Sequence, residues 1–285
     1  MNLLETVNGM NDFHVFFRDI LTDKKKVLIL STACGNDYIG AYSIAKLIRK
    51  HHPKVDLVFA SSINIEKEEY KPLIKLNDHL FTIDDFSPAC DFEIENHSIR
   101  LIAQGIKNEK MNLPYFVAIN KNEPGNGKLA YQKLFDEVMP DCVFTLDNGG
   151  DSITGGLDDV NGFDQTNLKT LLDMGKKIHH LVIGPGCDGE SSVEDFNEYI
   201  EMHIENFRGI FDIGEAVELI YSNVKHNSEV MLQKDHRWST MRIIFEANKT
   251  IKEGFGDELF TIPRHQKNQK IPFKILQSVL VFCYN

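Results

Sequence analysis

Apolar positions follow two rhythms along this chain. Five short runs are apolar with almost no interruption: VLILST (27–32), VDLVFASS (55–62), PYFVAIN (114–120), CVFTLDN (142–148) and HLVIGPG (180–186). Runs of this length read as strands buried on both faces of a parallel sheet. Other segments repeat at three- and four-residue spacing, which marks one apolar helix face. Met10, Phe13, Phe16, Phe17 and Ile20 form such a stripe within 1–23, and Ile39, Ile44, Leu47 and Ile48 form another after the first run. Further helices are predicted over 129–138, 164–174, 193–207 and 214–226, and from Thr240 onward. Residues 79–85 read as a strand, 64–72 as a loop or short helix, and 86–110 show no clear element.

Strands alternating with helices predict an α/β fold with a mainly parallel sheet and helices on both faces. We expect one Rossmann-like α/β domain over 1–285. Its core would span 24–210, and 211–285 would form a helical extension or cap whose last apolar run, 271–283, docks on the core.

Three of the runs end in a Gly-rich turn that carries acid. The first turn is Ala33-Cys34-Gly35-Asn36-Asp37. The second is Asp147-Asn148-Gly149-Gly150-Asp151, followed by Ser152, Gly155 and Gly156. The third is Gly184-Pro185-Gly186-Cys187-Asp188-Gly189-Glu190. In open parallel sheets, ligands bind beyond the carboxyl ends of the strands, so the three turns should meet in one crevice. Glycine allows close approach to a ligand, and amides at a helix start attract anions. The candidate ligand-binding residues are therefore Gly35, Asn36, Asp37, Asn148, Gly149, Gly150, Ser152, Gly184, Gly186, Gly189 and Glu190.

The acids change this picture. A plain phosphate site would be repelled by Asp37, Asp147, Asp151, Asp188 and Glu190. Carboxylates in such number suit ribose hydroxyls, a divalent cation such as Mg²⁺, or a general base with a raised pKa. Asp151 is the expected catalytic residue, with Asp147 and Asp188 in support, and Asp147 and Asp151 are the expected metal ligands. Asp158, Asp159 and Asp164 add acid just downstream. Taken singly, each Asp would equally serve as a turn former or helix cap.

These motifs also carry a resemblance. DNGGDSITGG, then GFDQTNLKTLLDMG, then LVIGPGCDGE resemble the DUF1152 family of uncharacterised Rossmann-like proteins over about residues 24–210. The first turn differs, because the family has a run of glycines where this chain has Thr32-Ala33-Cys34-Gly35-Asn36. The resemblance implies the architecture and the turn positions, and it implies no reaction.

Composition narrows the function classes. Of 285 residues, 42% are hydrophobic and 26% charged, ordinary for a globular protein. A formal charge of -11 speaks against a general grip on nucleic acid or an anionic membrane. The five cysteines are scattered and contain no CxxC pair, which suggests reduced thiols and a cytoplasmic setting. The N-terminal residues lack a signal-peptide pattern, although export without a cleaved signal stays compatible with them. No run reaches the roughly 20 apolar residues of a membrane span.

No Walker A loop and no GxSxG elbow occurs. GPGCDG at 184–189 has the rhythm of a dinucleotide turn, but Asp188 would face the pyrophosphate, which argues against a dehydrogenase. Cys34 reads as a packing residue more readily than as a nucleophile. His179 and His180 read as residues flanking a strand, and His236-Arg237-Trp238 as a surface loop with a packed Trp. The expectation is a hydrolase for a nucleotide-sugar ligand, best matched by an ADP-ribosyl group cleaved at its ribosyl C–N bond. The alternatives are a non-catalytic nucleotide or ADP-ribose sensor, and an acidic interaction protein whose turns are only structural.

Overall fold

The structure is a computed structural model. It describes residues 2–32, 37–63, 74–83, 99, 102–103, 105–106, 109–119, 126–156, 162–221, 240–256, 258–262 and 269–285. Cys34, Gly35, Asn36, Asp158, Asp159 and the 236–238 segment lie outside the described residues, as do all of 64–72 and 86–98.

Twelve strands occur among the described residues: β1 Asn11–Asp12, β2 Lys26–Ser31, β3 Asp56–Ile63, β4 Ile74–Asn77, β5 Leu80–Ile83, β6 Tyr115–Ile119, β7 Cys142–Asn148, β8 Ile178–Ile183, β9 Phe207–Asp212, β10 Leu259–Thr261, β11 Lys270–Pro272 and β12 Ser278–Tyr284. Ten of them form one sheet in the order β1-β9-β12-β8-β7-β2-β3-β6-β5-β4, and β10 and β11 form a separate hairpin. The central five, β8-β7-β2-β3-β6, are parallel.

Alternation along these strands divides the core into two layers. Leu28 and Leu30 of β2 pack with Val58, Ala60 and Val143 beneath the helix Asn126–Val138. Val27 and Ile29, one position out of phase, belong to the larger cluster with Leu57, Phe59 and Phe144 beneath the helix Asp37–His51. The fold is thus α/β with helices on both faces of a mostly parallel sheet.

Three segments depart from the sequence reading. The predicted helix over 193–207 stops at Met202, because His203 leaves helical geometry with φ -125° and ψ 33°. Residues 207–212 then form β9 instead of ending a helix. The helix expected over 1–23 is instead a short helix Leu3–Thr6 and a second helix Phe13–Leu21, which carries Phe13, Phe16, Phe17 and Ile20 of the stripe. The last apolar run does dock on the core, but as a strand and not as a cap. β12 lies between β8 and β9 and is antiparallel to both. Every residue of β12 is buried, which explains why Ser278–Tyr284 is almost wholly apolar.

The order of connections fixes the site. From β2 the chain moves outward to β3 and β6, then returns to the other side of β2 as β7 and continues to β8. The direction of winding therefore reverses between β2 and β7. Side chains at the carboxyl ends of those two strands face a topological switch point, the place where open α/β sheets bind ligands.

Candidate functional site

β7 carries the centre of the site. Its residues alternate between the two core layers, so Thr145 and Asp147 share one face with Val143. A polar pair on a fully buried strand must be satisfied from neighbouring elements. Thr145 sits opposite His180 in the β7–β8 register. Its hydroxyl lies 2.9 Å from His180 Nδ1, and His180 Nε2 lies 3.0 Å from the Ser152 hydroxyl. Ser152 donates to Asp147 Oδ2 through that hydroxyl and through its backbone N–H at 3.1 Å.

Burial drives the His180 pKa down to about 3, so the ring is neutral. A neutral ring donates from one nitrogen and accepts at the other. With Ser152 donating to the carboxylate, Nε2–H must donate to Ser152 and Nδ1 must accept from Thr145. The row runs one way, from Thr145 through His180 and Ser152 to Asp147. It saturates Oδ2, and the Asp151 carboxyl makes a further hydrogen bond to the fully buried Asp147.

Asp151 begins a short helix, Asp151–Thr154, entered through Gly150 at φ 108° and left through Gly155 at φ 89°. Asp164 is brought in by the helix Gly162–Asp173. Asn167, three residues on and so on the same helix face, donates to the Thr32 carbonyl at 2.6 Å and pins that helix over the end of β2. Ligand oxygens of Asp147, Asp151 and Asp164 all come within 4.8 Å of one another. Asp147 and Asp151 are 0% and 6% exposed.

The electrostatics follow from this crowding. Burial, and then the charge of Asp147, pushes the Asp151 carboxyl up to about 11. Asp164 is raised well above an ordinary carboxylate by burial and by Asp147, Asp37, Glu190 and Asp188. Asp147 is raised by burial, against which hydrogen bonds from Ser152 and Asp151 act. All the charged neighbours that raise these three are themselves acids.

The other expected residues converge here in part. Asp37 accepts from the Asn148 N–H at 2.9 Å, which ties the start of the first crossover helix to the β7 turn. Asn148 lies against Gly40, where a Cβ would collide with its amide. Gly149, at φ 106°, is packed so closely on the Asp188 carboxylate that no side chain fits. Glu190 is buried and lies against Gly156, which also packs beside Asp151.

The glycine amides play a different role from the expected one. Gly149 N–H donates to Ile183 at 2.9 Å, Gly184 to Ser278 at 2.9 Å, Gly186 to Gly149 at 2.7 Å and Gly189 to Gly186 at 3.0 Å. The first and third tie the β7 turn to the end of β8 and its turn, the second holds that turn to β12 and the fourth closes it on itself, so these amides are not presented as a phosphate cradle. Glycine is needed here for backbone approach between turns.

Two participants were missed. Asp164 looked like one acid of a downstream group. Its signal was Asn167 on the same face of a helix that follows the turn. His180 looked like a strand flank. Its signal was the alternation in IHHLVI, which must place His179 and His180 on opposite faces. His179 does serve packing, between Phe16 and Phe144 at ring distances of 6.0 and 5.3 Å.

An all-oxygen donor set suits a hard divalent cation such as Mg²⁺, Mn²⁺ or Ca²⁺. The residues fit such an ion because three carboxyl groups converge with further acids for neighbours, a donor set whose charge is held down by burial and crowding. No family model, no curated protein and no solved structure matches this chain.

Proposed function

We propose that this chain is a cation-assisted hydrolase for a nucleotide-sugar ligand of the ADP-ribosyl type, acting at the ribosyl C–N bond. The observation that carries the reading is the Asp147, Asp151 and Asp164 cluster at the switch point, with Asp37, Asp188 and Glu190 around it. Such a field opposes an anionic transition state. It favours the positive charge that builds at the ribosyl carbon as a C–N bond breaks.

Bound among the three aspartates, a divalent cation would offset the cluster and lower the pKa of the water it carries. With its own proton displaced when the cation binds, Asp151, at the N-terminus of its short helix, stabilises the oxocarbenium-like charge as the leaving nitrogen takes the electron pair of the C–N bond, and it receives the proton of the attacking water. Asp147 is held by Ser152 through Oδ2, and its other oxygen would pass from the Asp151 proton to the ion. Asp188 and Glu190, on the neighbouring turn, supply acceptors for ribose hydroxyls. The pyrophosphate relies on the cation for its charge partner, since the amides of Gly149, Gly184, Gly186 and Gly189 are used internally. The resemblance to DUF1152 supports the turn positions and nothing further.

The test is a thermal-shift panel of ATP, NAD, ADP-ribose and nucleosides, each with and without Mg²⁺, with product analysis. A hydrolase gives a Mg²⁺-dependent shift and a ribosyl product, and Asp151→Asn retains the shift while losing the product. Full turnover in Asp151→Asn sinks the assignment. A shift without product after long incubation identifies a sensor. No shift with any nucleotide identifies an interaction protein.

A further inference from the structure

A second group of metal-ligating side chains joins three helices. His14 lies on the helix Phe13–Leu21, His51 ends the helix Asp37–His51, and Glu215 opens the helix Gly214–Tyr221. One donor atom from each comes within 4.8 Å of the other two. His51 Nε2 is 2.9 Å from both Glu215 oxygens, and His14 Nδ1 is 3.8 Å from Oε2. The two imidazoles are stacked with centroids 4.7 Å apart and planes 13° apart.

An ion-pair network explains only part of this. Lys50 already holds Glu215 Oε1 at 2.6 Å. His14 Nδ1 is a buried atom with no hydrogen-bond partner, and 3.8 Å is too long for a hydrogen bond. Two stacked rings facing one carboxylate repel each other if both are charged. Nothing in such a network accounts for the buried lone nitrogen.

We propose that His14 Nδ1, His51 Nε2 and Glu215 Oε2 form a site for a zinc-class divalent cation. In a tetrahedral zinc shell the donors stand about 3.4 Å apart, given bonds of about 2.0–2.2 Å. The observed separations of 2.9 and 3.8 Å lie on either side of that value. Two imidazoles and a carboxylate leave the fourth position for water, and the side chains are 29–36% exposed, so the ion has a route in. Lys50 occupies Oε1 and makes Glu215 a one-oxygen ligand. The nitrogen donors set this site apart from the all-oxygen cluster at the switch point, and it does not depend on the hydrolase reading. Its ion would clamp the N-terminal helix and the helix after β9 to the end of the first crossover helix.

The experiment uses the full chain with Co²⁺ as the optical probe and Zn²⁺ as the competing ion. One equivalent of Co²⁺ should give the strong visible band of a four-coordinate, nitrogen-containing site. Zn²⁺ should displace it and Mg²⁺ should not. His14→Gln and His51→Gln should each weaken Zn²⁺ binding at least tenfold and remove the band, while Asp151→Asn keeps it. Absence of the band in the unaltered chain overturns the proposal. So does a band that survives His51→Gln, or one that Asp151→Asn abolishes.

Discussion

Replacing Asp151 with Asn should stabilise the metal-free protein while disabling it. In the fold, burial and Asp147 push the Asp151 carboxyl up to about 11, against an ordinary value near 3.8. At pH 7 the folded protein therefore holds a proton there that the unfolded chain gives up. The sign follows from linkage. A carboxyl whose folded pKa is raised contributes its full stability below about pH 3.8 and loses it progressively as pH rises toward 11. By pH 7 the loss is about 4 kcal/mol, at about 1.4 kcal/mol per pH unit. Asparagine has nearly the same shape and does not titrate. Urea unfolding in EDTA should thus show Asp151→Asn gaining on the parent protein from near zero at pH 4 to about 4 kcal/mol at pH 7. Added Mg²⁺ should stabilise both proteins and narrow the gap between them, because the ion binds the native parent more tightly than a variant with one carboxylate fewer. An Asp151→Asn advantage that does not grow between pH 4 and pH 7 would refute the crowded-acid account.

Three further outcomes follow from named contacts. Ser152→Ala removes the hydroxyl donor to Asp147 Oδ2 and leaves only the backbone N–H, and it should weaken Mg²⁺ binding about 10- to 100-fold by calorimetry with the fold retained. Gly149→Ala places a Cβ at φ 106° against the Asp188 carboxylate, and should cost at least about 1–3 kcal/mol in chemical denaturation. Burial holds the His179 pKa down to about 4, so its stabilising neutral form is lost as pH falls from 6.5 toward 4. The parent should accordingly lose about 3 kcal/mol relative to His179→Leu across that window, measured by urea titration at each pH.

Sequence alone made the central sheet legible because its strands are buried on both faces. VLILST, CVFTLDN and HLVIGPG are mostly apolar on both of their buried faces, with polar residues gathered toward the site. β9 was not legible for the converse reason: Phe207–Asp212 is only partly buried, and Arg208 and Gly209 interrupt its apolar positions. The acids of the site were visible as strand-end residues at Asp147 and Asp151. The polar row beneath them was not, since Thr145 and His180 meet only through the register of two strands distant in sequence. Asp164 needed the contact of Asn167 with Thr32, which joins a helix to a strand far earlier in the chain. The role of the glycines was also hidden, because an amide that serves a neighbouring turn has the same sequence signature as one that waits for a ligand.

The placement of β12 bears on the order in which the molecule assembles. β8 has β7 on one side and β12 on the other, and the Gly184 amide at its end is held by Ser278. The acidic turn after β8 is therefore not set until a strand about a hundred residues later has inserted. Contacts of that range form slowly, since a long loop must close before they contribute. The open edges of β8 and β9 wait for the same event. Asp188 and Glu190 come to rest beside Asp151 only when this last closure is made, so the mutual repulsion of the acids is deferred to the end of folding, when the rest of the sheet is already in place to withstand it.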